Sequence, residues 1–141
     1  MKTLVVIVIA ILAFNAYSLY ISSVPDAVKN ALAKKFPVRD DVSWSKKDPT
    51  CYEAEFSVHG IDTQAYFASN GIWLETQAGI ALSQLPKPVT ETIAKKYPGC
   101  SIVGAEKIED VKKGVLYETD IMSPHTKKEL ELKSDGTLYK E

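Results

Sequence analysis

The chain has 141 residues, of which 45% are hydrophobic and 25% charged, and its formal net charge is −1. These proportions are typical of a globular protein and argue against a disordered chain. The sequence has no long run of Lys or Arg, so it lacks the basic surface of a nucleic-acid-binding protein and no nucleic-acid partner is predicted.

The N-terminal residues 1–18 have the three-part layout of a secretory signal peptide. Lys2 gives a positive start, Leu4–Phe14 is an unbroken apolar run, and residues 15–18 supply small and polar side chains suited to cleavage. The alternative is an uncleaved membrane anchor that extends to Ile21, a length at the lower limit for crossing a bilayer. Cleavage is favoured, so we expect a periplasmic or secreted protein with no membrane contact afterwards.

A helix followed by four strands is predicted for residues 19–84. Apolar side chains recur at helical spacing from Val28 to Phe36, and Pro37 ends that helix. A short strand over residues 42–46 follows, and the longer strand from Cys51 alternates between an apolar and an acidic face. The pairs His59–Gly60 and Asn70–Gly71 predict tight turns, the second with positive φ at both central residues.

Residues 85–141 repeat this pattern. Four markers return in the same order: Val24–Pro25 as Leu85–Pro86, Phe36–Pro37 as Tyr97–Pro98, Tyr52–Glu53 as Tyr117–Glu118, and Asn70–Gly71 as Asp135–Gly136. The predicted fold class is therefore α+β, a tandem repeat of one helix plus a four-stranded antiparallel meander, with the helices on one face of the sheet. We expect the opposite face to be open and the two meanders to join at or near their edges.

These markers, with Leu85–Pro86 before Val89 and Lys96 before Tyr97–Pro98, resemble the secreted bacterial PepSY-like proteins, which are grouped with the β-lactamase-inhibitor-protein-like fold. The resemblance covers residues 24–141 and rests on residues that mark the fold. It implies export, non-catalytic binding, and contact with a target through the open sheet face and the hairpin tips. The His59–Gly60 tip carries no inhibitory signature, so inhibition of a β-lactamase is not predicted.

Two pairs of carboxylates stand at matching places in the two halves, Glu53 and Glu55 in the first and Glu118 and Asp120 in the second. A spacing of two residues puts each pair on one strand face, about 7 Å apart. Such pairs can serve acid–base catalysis or bind a hard cation. The favoured interpretation is a solvated sheet face whose charges discourage aggregation, so no cofactor and no metal are predicted.

The predicted partner-binding residues are these four carboxylates together with His59, Tyr66 and Trp73. His59 lies at a hairpin tip and, like His125, has no neighbours at the spacing of zinc ligands. Partly exposed aromatic side chains beside charged neighbours are typical of protein-binding surfaces. For Trp73, packing in the core or at the sheet edge is an equal alternative, because strand phase after a turn is uncertain.

The two cysteines, Cys51 and Cys100, are candidates for one disulfide. In an oxidising compartment that bond would stabilise the folded chain by about 4 kcal/mol. The alternative is two unpaired buried thiols that pack as small apolar side chains. Both remain open, because pairing requires Cα atoms within about 7 Å.

No Ser-His-Asp order, metal-binding cluster or dinucleotide fingerprint occurs in the sequence, so an enzyme is not predicted. We predict an exported, non-catalytic binding module, inhibitor-like in its mode of contact, that presents the open face and hairpin tips to a protein or peptide. The alternative is a structural or envelope-associated protein without a single tight ligand.

Overall fold

The computed structural model describes residues 23–141, and the predicted signal segment 1–18 lies outside them. Two α-helices and eight β-strands follow one another along the chain. They are α1 (Asp26–Lys35), β1 (Ser43–Asp48), β2 (Cys51–Val58), β3 (Ile61–Ala68), β4 (Trp73–Gly79), α2 (Lys87–Lys96), β5 (Ser101–Asp110), β6 (Gly114–Ser123), β7 (Thr126–Lys133) and β8 (Leu138–Lys140). A short 3-10 helix, Leu82–Gln84, precedes α2.

All eight strands form a single antiparallel sheet in chain order. Strands β4 and β5 pair at its centre, with Glu75 opposite Asp110 and Gly79 opposite Glu106. The α+β class is confirmed, with every strand in one sheet. That the two halves of the chain are copies of one unit stays a prediction.

Each helix buries two apolar residues one turn apart and is otherwise largely exposed. They are Val28 and Leu32 in α1 and Val89 and Ile93 in α2. Each helix also ends in a pair of lysines, where a positive charge suits the negative end of the helix dipole. Neither helix within residues 23–141 is long and apolar enough to cross a membrane.

Both helices lie on the same face of the sheet. Helix α1 packs on a cluster from β2 and β3 that includes Phe56 and Phe67, and α2 packs on Ile121, Leu130 and Leu132. One cross-strand row joins the two clusters: Phe56, Thr63, Ala78, Lys107, Tyr117 and Leu132. Directly opposed residues of antiparallel strands share a face, so the two clusters form one layer beneath the helices. Each fully buried side chain there stabilises the fold by about 1.5–3 kcal/mol.

The first predicted turn is present, and the second is present without the positive φ expected at both of its central residues. His59 and Gly60 both have positive φ, at 52° and 79°. In the turn between β3 and β4 only Gly71 does, at 85°, so the prediction for Asn70 was wrong. The Asn70 side chain explains the difference, because its Oδ1 accepts a hydrogen bond from the Ile72 amide at 3.1 Å and so closes the turn without positive φ.

Candidate functional site

The open face is the sheet surface opposite the helices, made of the strand residues that alternate with the core. Strands β2 to β7 place carboxylates on it in two main cross-strand rows. The first row contains Glu53, Tyr66, Glu75 and Asp110. The second contains Glu106, Glu118 and Glu131, and Asp120 lies opposite Glu129 beside it. Directly opposed residues share a face, so these carboxylates lie on the same side of the sheet, and the buried side chains of Ile108 and Leu116 lie between the two rows.

Tyr66 lies in the first row and forms hydrogen bonds with the side chains around it. Its single hydroxyl proton is shared between the Glu53 carboxylate at 2.9 Å and the Gln64 side-chain oxygen at 3.1 Å, and Glu53 also accepts a hydrogen bond from the Ser45 hydroxyl at 2.6 Å. The Lys47 ammonium lies 4.4 Å from the centre of the Tyr66 ring. Only 6% of Tyr66 is exposed, so the expectation of a partly exposed aromatic was wrong. Burial and the neighbouring carboxylates raise the pKa of Tyr66, which therefore stays protonated and serves as a donor.

Glu118 stands at the centre of the second row. Glu106 and Glu131 lie directly opposite it on the two neighbouring strands. Burial, followed by repulsion from Glu129 and Glu106, raises the pKa of Glu118 to about 8. The pKa values of Glu106 and Glu129 are also raised, by burial first and then by repulsion from Asp120. Glu118 therefore holds a proton at pH values at which an isolated glutamate is ionised.

Sequence reasoning selected Glu118 and Asp120 but missed the carboxylates that face them. The alternation of Glu129 and Glu131 with two buried leucines was a usable signal, because it puts both glutamates on the face away from the core. Only the register of β5, β6 and β7 shows that Glu106, Glu129 and Glu131 surround Glu118.

The two predicted carboxylate pairs are not brought together. Glu53 and Glu55 lie on β2, and Glu118 and Asp120 lie on β6. These two strands are four strand spacings, or about 19 Å, apart across the sheet. Glu55 is exposed, and burial with repulsion from Glu53 raises its pKa. No group of three or more His, Cys, Asp or Glu side chains among residues 23–141 could hold a metal ion.

A cavity of about 600 Å³ lies where β4 ends, between the starts of β3 and β5. We call it the notch cavity. Its lining joins the carboxylates Asp62, Glu106, Glu118, Asp120 and Glu129 to the apolar side chains Ile61, Ile80, Leu82 and Val103. Gly79 and Gly104 also line it and place no side chain there. At Gly104 a Cβ atom would lie 2.9 Å from the Asp120 carboxylate, so a side chain there would displace that carboxylate.

The hairpin tips with the two histidines lie at the same end of the sheet as the notch cavity. His59 is in the turn between β2 and β3, and His125 is in the turn between β6 and β7. Both are exposed, as predicted for turn residues. Of the predicted partner-binding residues, Glu118 and Asp120 line the notch cavity, and His59 lies at a hairpin tip at the same end of the sheet.

Trp73 lies on the helix side of the sheet and not on the open face. It packs against the α1 core cluster, its indole N–H donates to the Thr76 hydroxyl at 2.9 Å, and the Lys35 ammonium lies 4.0 Å from the centre of its ring. The reason is a register shift that pairs Trp73 with Phe67, which turns both side chains to the core. Of the two alternatives for Trp73, partner binding and packing in the core, the structure shows packing.

The candidate disulfide is absent from the structure. Cys51 and Cys100 are free thiols. Cys51 starts β2 and Cys100 precedes β5. These two strands are three strand spacings, or about 14 Å, apart across the sheet, which is well beyond the reach of a disulfide. Cys51 is buried, and burial raises the pKa of its thiol, while Cys100 packs against the α2 core cluster. The alternative of two unpaired thiols is the one observed.

Comparison with known proteins gives one family. The family described as "Putative beta-lactamase-inhibitor-like, PepSY-like" matches residues 13–62 and 50–140. No curated protein matches the sequence.

Several solved structures have the same fold. A DUF2874 family protein from Bacteroides uniformis is 24% identical, with a TM-score of 0.73 over 82% of this chain and 86% of that one. A BLIP-like protein from Bacteroides fragilis is 18% identical, with a TM-score of 0.72 over 86% of both chains. A protein from Bacteroides eggerthii, named a "putative periplasmic" protein, is 21% identical, with a TM-score of 0.74 over 84% of this chain and 87% of that one.

Proposed function

The chain belongs to the PepSY-like, beta-lactamase-inhibitor-like family, and from this premise we propose that it is an exported, non-catalytic binding module. It contacts a protein or peptide through the open face and the hairpin tips at the cavity end, in the manner of an inhibitor. The observation that carries the proposal is a group of carboxylates from several strands on the side of the sheet away from both helices.

Export is supported by two observations. Residues 1–18 have the layout of a cleavable signal peptide. A protein of the same fold from Bacteroides eggerthii carries a periplasmic description. We therefore assign the periplasm or the cell exterior as the place of action.

The proposed contact residues are Glu53, Glu55, Tyr66, Glu118, Asp120 and the tip residue His59. Glu55 and His59 are exposed and available to a partner. Tyr66 is buried, so its role is to position Glu53 through their hydrogen bond of 2.9 Å. Trp73 is not included, because its ring packs on the helix side.

We also propose that the fold arose from two copies of one helix-plus-meander unit. The turns at Gly71 and Gly136 support this, since each packs against the backbone of a helix's first turn. A Cβ atom at Gly71 would lie 2.6 Å from the carbonyl oxygen of Ala27, and one at Gly136 would lie 2.5 Å from that of Pro88. In each turn the preceding Asn or Asp side chain accepts an amide hydrogen bond, so both the contact and its chemistry recur.

Capture from cell-envelope extract tests the binding function. Four versions of the protein serve as bait: wild type, Glu55→Lys, His59→Ala and the helix-surface control Glu91→Lys. We expect a partner retained by wild type and by the control and lost from Glu55→Lys. Equal capture by all four would contradict a role for the open face. Capture of nothing by any of them would favour the structural, envelope-associated alternative.

A further inference from the structure

We propose that the partner of the open face is a cationic polypeptide segment, one of whose Arg or Lys side chains enters the notch cavity. The inference rests on the proposed binding function and adds the chemistry of the partner to it.

The first support is the crowding of carboxylates on the face. Glu118 lies directly opposite both Glu106 and Glu131, and Asp120 lies directly opposite Glu129. Like charges in directly opposed positions destabilise an antiparallel sheet. Within residues 23–141 the one salt bridge to this group joins Lys140 to Glu131 at 4.0 Å. This crowding leaves an acidic patch that is complementary to a positively charged partner, and a bound cation would favour release of the proton that the raised pKa of Glu118 retains.

The second support is the apolar side of the cavity. Ile61, Leu82 and Val103 line it and are each close to half exposed, at 47%, 45% and 48%. A bare cation would gain nothing from these side chains. Lys and Arg have an apolar stem and a charged end, so they match a cavity with an apolar side and an acidic side. This mixed lining favours a side chain on a polypeptide over a free ion.

The third support is space at the acidic side. Gly79 and Gly104 leave the sheet surface without side chains next to Glu106 and Asp120. The resulting volume of about 600 Å³ is that of a typical ligand pocket and holds a long side chain with its flanking residues. Several carboxylates around one space suit a guanidinium, whose planar donors bind carboxylates in pairs, so arginine is favoured over lysine.

Selection from a random peptide library tests the proposal without a known partner. The protein as recovered after export is the bait, beside three variants. Glu106→Gln/Glu118→Gln/Asp120→Asn removes three carboxyl groups from the cavity. Asp26→Asn/Asp40→Asn/Glu91→Gln removes the same number from exposed positions elsewhere. Gly79→Leu fills the cavity without changing charge, and nothing lies closer than 4.0 Å to a Cβ atom at that position.

We expect the enriched peptides to carry an Arg or Lys beside an apolar residue. Their affinity should fall about tenfold or more for the cavity-charge variant and for Gly79→Leu, and should be unchanged for the control variant. Replacing the selected arginine by citrulline, which keeps the shape and removes the charge, should cause a similar loss.

Other outcomes separate the two proposals. Enriched peptides that bind the open face but carry no excess of Arg or Lys would overturn the proposal of a cationic partner. The proposed binding function would still stand. Peptides that bind equally to all variants, or no enrichment at all, would overturn both. Citrulline and arginine peptides of equal affinity would overturn the charge argument alone.

Discussion

Glu118 makes the stability of the protein sensitive to pH. Its pKa is raised from an ordinary 4.5 to about 8 by burial and by the carboxylates of β5 and β7. The folded chain therefore holds a proton that the unfolded chain has already released between these values. It follows that the free energy of unfolding falls as pH rises through about 8. Urea unfolding of the wild type should show a lower midpoint at about pH 9 than at about pH 5.

Glu118→Gln should remove much of this dependence. The amide keeps the shape of the side chain and ends repulsion by Glu106 and Glu131, so we expect a gain of about 1 kcal/mol at about pH 9 and little change at about pH 5. Asp40→Asn removes the same charge from an exposed loop and should leave the pH profile as it is. If Glu118→Gln follows the wild-type profile, Glu118 titrates as an ordinary carboxylate.

Tyr66→Phe should destabilise the protein by about 1–2 kcal/mol. The change removes the hydroxyl that donates to Glu53 and Gln64 and leaves the ring in place. Tyr139→Phe, at an exposed position in β8, is the matched control and should have almost no effect. Equal urea midpoints for the two variants would show that the Tyr66 hydrogen bonds contribute nothing net.

At the scale of elements, the turns at Gly71 and Gly136 fix each helix against its own strands. Gly71→Ala and Gly136→Ala should each cost more than Gly60→Ala in thermal unfolding. All three glycines have positive φ, which costs about 1–2 kcal/mol for alanine. Only the first two would also push a Cβ atom against a helix carbonyl, and Gly60 has nothing within 4 Å. If all three variants lose the same amount of thermal stability, the turns must move away from the helix carbonyls at no cost.

The elements themselves were largely predictable because their signals are local. Alternation from Cys51 to Val58 and the turn at His59–Gly60 predicted a strand and a hairpin that the structure contains. Local pattern failed for Trp73, because a register shift between β3 and β4 reverses its face. It also left the disulfide open, since only the strand order places Cys51 and Cys100 far apart.

The site was predictable only in part, for the same reason. Glu53, Glu55, Glu118 and Asp120 follow from alternation within one strand each. Their neighbours Glu106 and Glu129 come from other strands, and their position beside Glu118 depends on pairing between β5, β6 and β7. The notch cavity depends further on where β4 ends, which no local pattern specifies.

At the scale of the whole molecule, a net charge of only −1 conceals an uneven distribution. Strands β2 to β7 place carboxylates on the open face. On the opposite side of the sheet, each helix ends in two lysines. Binding of a cationic segment should therefore weaken as salt rises, because added ions screen the attraction. For a selected arginine peptide, we expect a clear loss of affinity in isothermal titration when ionic strength is raised tenfold. An affinity independent of salt would place the peptide elsewhere.

Carboxyl labelling with mass spectrometry, on the protein with and without its captured partner, is the most direct test of whether the open face binds that partner. This chemistry reports the accessibility of each Asp and Glu side chain, so it distinguishes the two faces of one sheet. We predict that the partner protects Glu55, Glu106 and Glu129 on the open face and leaves Asp26 and Glu91 on the helices fully reactive. Protection of the helix carboxylates, with the open face still reactive, would contradict it.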